Sequence, residues 1–91
     1  MVKVVFSSAL RSVTNGESEF EIEFSGDISS LFDILKSNYG ETFEHRIFEN
    51  GSPKRYVNVY LDGKDIRFLN GLKTEVKESS EVLFLPAVSG G

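Results

Sequence analysis

Val2, Val4 and Phe6 alternate with Lys3, Val5 and Ser7, and this period of two in β-branched and aromatic residues predicts a first strand with at least one buried face. Thr14-Asn15-Gly16 reads as a turn. Beyond it Phe20, Ile22 and Phe24 alternate with Glu19, Glu21 and Glu23, the pattern of a second strand with one core face and one acidic, wet face. The two strands are expected to pair as a hairpin, with Ala9 to Val13 between them forming a helical turn or a longer loop. Ser25-Gly26 ends the second strand, and Asp27 is placed to cap a helix from Ile28, because its carboxylate can accept from the unpaired N–H groups of a first turn. Ile28, Leu31, Phe32 and Leu35 then recur at helical spacing. Asn38-Tyr39-Gly40 supplies the stop, with Gly40 suited to the left-handed conformation that closes many helices, and Phe43 and Ile47 allow a further helical turn within Glu41 to Phe48.

Asn50-Gly51-Ser52-Pro53 predicts a turn into a third strand, Tyr56 to Leu61, dense in β-formers. Asp62-Gly63 fits a tight hairpin returning through a short apolar strand, Ile66 to Leu69; Asn70-Gly71 turns the chain again, and Glu81 to Leu85 form the last strand. The order strand, strand, helix, strand, short strand, strand is that of an α+β domain, with one main helix on one face of a mixed sheet of four to five strands. In the last strand Val82 and Phe84 point one way and Leu83 and Leu85 the other. Either both faces are covered and the strand is fully buried, or Leu83 and Leu85 form an exposed apolar patch where a partner docks. Ile66, Phe68 and Leu69 are candidates for the same patch.

Composition narrows the chemistry. Ninety-one residues support one domain, 1–91, around one core. The formal net charge is -4, and no stripe of Lys or Arg exists to neutralise a phosphate backbone, so nucleic acid is not an expected partner. No apolar run approaches the ~20 residues a bilayer requires, and a cytoplasmic location without a membrane partner is expected. The chain has no cysteine, hence no disulfide, no thiolate metal site and no side chain able to carry sulfur as a thioester or persulfide. The single His45 has no histidine or cysteine near it in sequence to complete a metal site, and no set of nucleophile, base and orienter is evident. What remains is the end of the chain. Pro86 cannot donate to a sheet ladder and is expected to end the last strand, projecting a tail of residues 87–91 that closes in Gly90-Gly91. An enzyme activating a C-terminal carboxylate must thread the last residues through a narrow channel, and glycine has no Cβ to collide with its walls.

That element order with a Gly-Gly ending resembles the ubiquitin-like β-grasp fold. Tyr56-Val57-Asn58-Val59-Tyr60-Leu61-Asp62-Gly63-Lys64-Asp65-Ile66-Arg67, Gly71-Leu72 and Phe84-Leu85-Pro86-Ala87-Val88-Ser89-Gly90-Gly91 resemble the MoaD/ThiS sulfur carriers, most closely the small subunit of molybdopterin synthase in its longer variant. The resemblance implies a carrier without catalytic side chains of its own and without a tightly bound cofactor. A ubiquitin-activating-like adenylating enzyme spends ATP to convert the Gly91 carboxylate to an acyl adenylate, and a sulfur donor turns it into a thiocarboxylate. The tail then delivers sulfur inside the large catalytic subunit of molybdopterin synthase; Gly90 lets the tail pass, and Arg11 sits where the family often has an arginine near the interface. The same tail also serves carriers for thiamine synthesis or tRNA thiolation and protein modifiers, and a plain β-grasp interaction domain with incidental glycines is the remaining alternative.

Overall fold

A computed structural model of the chain describes residues 1–87. In chain order its strands are β1 (Val2–Phe6), β2 (Glu19–Ile22), β3 (Gly26–Asp27), β4 (Phe48–Glu49), β5 (Ser52–Pro53), β6 (Val57–Leu61), β7 (Lys64–Asp65), β8 (Glu75–Val76) and β9 (Glu81–Pro86), with helices α1 (Ile28–Tyr39) and α2 (Glu41–Ile47) between β3 and β4. The main sheet runs β2-β1-β9-β6-β7. Its first and last strands lie side by side and parallel, Val4 opposite Val82 and Phe6 opposite Phe84, while the other pairs are antiparallel. This arrangement of a hairpin, a helix crossing one face and a parallel return to the first strand is what the β-grasp resemblance implies.

Alternation fixes which face the helix covers. Val2, Val4 and Phe6 of β1, Val57, Val59 and Leu61 of β6, and Val82 and Phe84 of β9 all point to one side and are buried there. Ile28, Leu31, Phe32 and Leu35 of α1 meet them, each at most 1% exposed, so the predicted helical register holds. Asp27 caps that helix, its Oδ1 accepting from the Ser30 N–H at 2.9 Å. Phe43 and Ile47 of α2 close one end of the core. Phe6, Phe32, Phe43, Phe48 and Phe84 form a continuous aromatic cluster with ring centroids 4.9–6.3 Å apart, mostly tilted or edge-on as ring quadrupoles prefer.

The expected hairpin turn at Asp62-Gly63 joins β6 and β7, while the turn expected over Asn50-Gly51-Ser52-Pro53 is confined to Asn50-Gly51, because Ser52 and Pro53 pair as β5 with β4; each of these two-residue loops has positive φ at both central residues. The predicted hairpin of β1 and β2 forms, and its connection contains a 3-10 turn, Ser8–Leu10.

Four details differ from the sequence reading. Gly40 has positive φ but an extended ψ of -168°, so it is not left-handed helical. It ends α1 and starts α2 at once, its N–H donating to the Lys36 carbonyl and its own carbonyl accepting from the Glu44 N–H. Phe20 and Ile22 are only half-buried because β2 is an edge strand, which stops at Ile22 before Phe24. The short strand after Asp62-Gly63 is Lys64–Asp65, and the apolar stretch that follows is a 3-10 turn, Ile66–Phe68. Asp65 is the physical reason: its Oδ1 accepts from the Arg67 N–H at 2.9 Å, a local bond that competes with further sheet pairing. Finally, β8 pairs with β3, and the Ile28 N–H donates to the Thr74 carbonyl at 2.8 Å, tying the start of α1 to the segment that leads into β9.

Leu31→Ala deletes a fully buried side chain between helix and sheet and is expected to destabilise the fold by about 2–5 kcal/mol, whereas exposed Glu21→Ala stays within ~0.5 kcal/mol of wild type. Chemical denaturation of the two variants checks this, and equal midpoints would remove α1 from the core.

Candidate functional site

The site is built around the end of β9. Pairing with β6 runs Leu61 opposite Val82, Tyr60 opposite Leu83, Val59 opposite Phe84, Asn58 opposite Leu85 and Val57 opposite Pro86. Pro86 is therefore the last residue of the strand, one position later than expected, and its side chain is buried. Pairing does not stop at the missing proline donor, because the N–H of Ala87 donates to the Tyr56 carbonyl. Ala87 itself is exposed, and a shallow hollow between Arg46, Tyr56, Pro86 and Ala87 marks the root of the tail. The tail positions Val88, Ser89, Gly90 and Gly91 lie outside the described residues.

The side of the sheet away from α1 carries the docking candidates Leu83 and Leu85. A single row crosses all five strands, Glu19, Val5, Leu83, Tyr60 and Asp65, with Leu85 and Asn58 beside it toward the tail root. Leu85 is 40% exposed and Leu83 half-buried, while Val82 and Phe84 are fully buried beneath the helix. Of the two readings of β9, the one-sided strand is correct: α1 and α2 cover only one face.

Phe68 is 85% exposed and Leu69 39% exposed, so both remain surface candidates. Ile66 does not. It is 4% exposed and belongs to the core, because the three-residue repeat of the 3-10 turn that starts at Ile66 directs it inward and leaves Arg67 and Phe68 outside. Arg11 follows the 3-10 turn after β1. Since β1 runs parallel to β9 and the Ser7 N–H donates to the Phe84 carbonyl, this turn lies at the same end of the sheet as the tail root. Arg11 is half-buried there, and its Nε is enclosed without a hydrogen-bond partner among the described residues.

No spacing in the sequence marks the arginine that borders this face. Arg67 reaches back over the sheet, its Nη2 donating to Asp65 Oδ2 at 2.6 Å and to Asn58 Oδ1 at 2.7 Å, with its Nε 3.1 Å from Asp65 Oδ1. Asn58 stands opposite Leu85, so a fixed guanidinium borders the leucines. Hydrogen bonds from Arg67 hold the Asp65 carboxyl below its ordinary value and in turn push the guanidinium up. The signal for Asn58 was present in β6, where Asn58 and Tyr60 alternate with the buried valines and had to share a face with Leu83 and Leu85.

These elements define a ubiquitin-like β-grasp protein whose distinguishing feature is a strand end delivered beside an open apolar face. The ThiS family model matches residues 4–91, and the chain belongs to that family of sulfur carriers. The sulfur carrier protein CysO of Mycobacterium tuberculosis is 35% identical over 94 residues, covering 99% of this chain and 98% of that one. Among solved structures, the Amycolatopsis orientalis BexX/CysO complex includes a chain that is 32% identical, with a TM-score of 0.87 and complete coverage of both chains. The small archaeal modifier protein SAMP1 of Methanosarcina acetivorans is 31% identical, with a TM-score of 0.81 over 99% of this chain and 95% of its own. Among the described residues no helix is long and apolar enough to cross a membrane.

Two outcomes follow from this geometry. Leu85→Glu leaves the domain folded, with a melting temperature within a few degrees of wild type, because the side chain already meets solvent; unfolding would place Leu85 in a packed interior. Asp65→Asn changes the acid limb of stability. A carboxyl held below its ordinary value of 3.8 stabilises the fold fully above that value and stops doing so as pH falls through the lowered folded-state value. The variant is therefore expected to lose less stability than wild type between roughly pH 5 and pH 2, and parallel acid limbs in thermal melts would contradict the role given to Arg67.

Proposed function

We propose that the chain carries sulfur on its C-terminal glycine: Gly91 is first adenylated and then converted to a thiocarboxylate. The observation that carries this reading is the match of the ThiS family model through residue 91, in a chain whose central strand β9 stays paired through Pro86 and Ala87, so that residues 88–91 follow directly on an anchored strand. Cysteine is absent, so no side-chain thiol competes for the sulfur.

The Gly91 carboxylate is a poor electrophile. In an adenylating enzyme one of its oxygens attacks the α-phosphorus of ATP, the bond to the β-phosphate oxygen breaks, and pyrophosphate leaves. A donor at the oxidation level of sulfide then attacks the acyl carbon; the C–S bond forms, the C–O bond to the phosphate breaks, and AMP leaves with its electron pair. The resulting thiocarboxylate is a soft nucleophile whose sulfur attacks an electrophilic carbon of a substrate held by the acceptor enzyme; the C–S bond forms as a leaving group departs from that carbon with its electron pair, or as the π pair of an activated double bond shifts and is protonated. Water finally cleaves the acyl C–S bond, leaving sulfur on the product and restoring the carboxylate. ATP is consumed by the partner, and the carrier holds no cofactor tightly. Its own residues supply position: Pro86 and the Ala87–Tyr56 bond fix where the tail starts, Leu83, Leu85, Phe68 and Leu69 offer apolar contact to the enzymes that handle it, and Arg11 stands at the same end of the sheet. Gly90 passes through channels that a Cβ would block.

The resemblance from Tyr56 onward supports a finer reading in which the acceptor is the large catalytic subunit of molybdopterin synthase. The identities above 30% to CysO and SAMP1 favour a carrier for another acceptor at least as strongly, and the SAMP1 similarity supports a second reading, attachment of Gly91 to lysine amines. The tail chemistry up to the adenylate is common to all of them.

Incubation with ATP, the cognate adenylating enzyme and a sulfide donor is expected to shift the intact mass by one oxygen-to-sulfur exchange located in the C-terminal peptide. Deleting Gly91, adding one residue after it, or Gly90→Val abolishes the shift without unfolding the domain. Sulfur uptake by a chain extended past Gly91 and not trimmed would end this reading. With the acceptor enzyme in hand, Leu85→Glu is expected to weaken association by more than ~2 kcal/mol, the scale of a buried interface anchor.

A further inference from the structure

A second concave surface lies between β5, β6 and the two 3-10 turns Ile66–Phe68 and Gly71–Lys73, with a volume of about 320 Å³. Val57 and Ile66 close its floor, Pro53 and half-buried Leu72 form walls, and Lys54, Arg55 and Arg67 stand at its rim. We propose that this groove docks an acidic segment of a protein partner, which inserts one large apolar side chain between Pro53 and Leu72 and sets its carboxylates against Lys54 and Arg55.

Charge points to the sign of the occupant. In the whole chain 14 acidic residues outnumber 10 basic ones. The groove reverses that balance, with three cations and the single carboxylate of Asp65, which Arg67 already holds. Among the described residues neither Lys54 nor Arg55 has a carboxylate within ion-pair distance. The other large hollow, lined by Glu23, Glu75, Glu78 and Lys77, has the opposite sign, so the cationic groove is a local property of this surface. Cations bordering an apolar concavity select an anionic ligand with an apolar tip, and on an acidic protein they orient the encounter.

Size and position point to a protein segment rather than a free small anion. About 320 Å³ is at the lower end of small-molecule sites and suits one large side chain with its flanking backbone. Val57 in the floor is the register partner of Pro86, and Arg67 belongs both to the rim and to the open face beside Leu85. Val57 faces the α1 side of the sheet, opposite Leu83 and Leu85, so a partner seated on those leucines reaches the groove around the β7 edge, where Arg67 borders both. The assignment rests on the carrier reading for the existence of such a partner, but its test needs no sulfur loading.

The full chain, labelled with nitrogen-15, is titrated with a synthetic peptide in which a central phenylalanine is flanked by two glutamates on each side. Expected are amide shifts confined to Lys54, Arg55, Ile66, Gly71 and Leu72, weakening as salt rises, and at least ~10-fold weaker binding by the folded double variant Lys54→Glu/Arg55→Glu. The same peptide with glutamines in place of glutamates is expected to bind correspondingly less. Silence of these amides at millimolar peptide, equal binding of the glutamine peptide, or tighter binding of phenyl phosphate than of the acidic peptide overturns the proposal, the last by making the groove a small-anion site. Shifts at the same amides on removing residues 88–91, with no peptide present, overturn it by making the chain's own tail the occupant. Sulfur uptake without peptide binding rejects the groove alone, whereas peptide binding by a chain that never takes up sulfur rejects the carrier reading and leaves the ligand class of the groove standing.

Discussion

Val4 beside Val82 and Phe6 beside Phe84 bring the two ends of the chain together in the middle of the sheet. This parallel pair is the contact on which the other features depend. It buries Phe6 and Phe84 together at the centre of the aromatic cluster, with rings 5.6 Å apart and α1 packed across them through Phe32. A parallel pair cannot be closed by a tight turn, so everything between β1 and β9 serves as its crossover, and the helix is forced onto one face. The opposite face is left open along β9, and the strand that carries the tail is also the strand with an uncovered apolar side.

Keeping the root of the tail in a central strand has a mechanical consequence. β9 has a hydrogen-bonded neighbour on each side, β1 as far as Phe84 and β6 as far as Pro86, and the Ala87–Tyr56 bond extends the β6 anchorage one step past the proline. An enzyme that draws on the end of the chain therefore pulls against two ladders and a buried Phe84, not against a peripheral strand that could peel away. Precise delivery of a terminal group requires a fixed origin, and this topology provides one.

Much of this was legible in the sequence because the core obeys simple periodicities: two in β1, β6 and β9, and three to four in α1. The strict alternation of Val82 and Phe84 with Leu83 and Leu85 even isolated the open-face residues, although only the sheet order decides whether that face is covered. The errors have local causes. An apolar run carries no period of its own, so the sequence alone does not separate Ile66 from Phe68 and Leu69; the Asp65 side chain, accepting from the Arg67 N–H, converts the run into a 3-10 turn and sends Ile66 inward. The groove was invisible for a different reason: Pro53, Lys54, Ile66 and Leu72 come together only through tertiary folding, and no spacing along the chain foretells that meeting. The same holds for Arg67 above Asn58, nine residues away and on another element.

The edges of the sheet explain why the open face, and not an edge, is available for recognition. β2 presents Glu19 and Glu21 to solvent on one outer edge, so a second copy pairing there would set like charges against each other. β7 forms the other edge but is only two residues long, too short to template another strand, and Asp65 at its end is committed to Arg67. Edge pairing is thus disfavoured by charge on one side and by length on the other, and unpaired apolar surface is concentrated at Leu83, Leu85, Phe68 and Leu69. Backbone pairing would bind any extended chain, whereas a side-chain face bordered by a fixed guanidinium discriminates by shape and charge. Leu83 and Leu85 beside the guanidinium of Arg67 are the part of this sheet that offers both apolar area and a fixed charge.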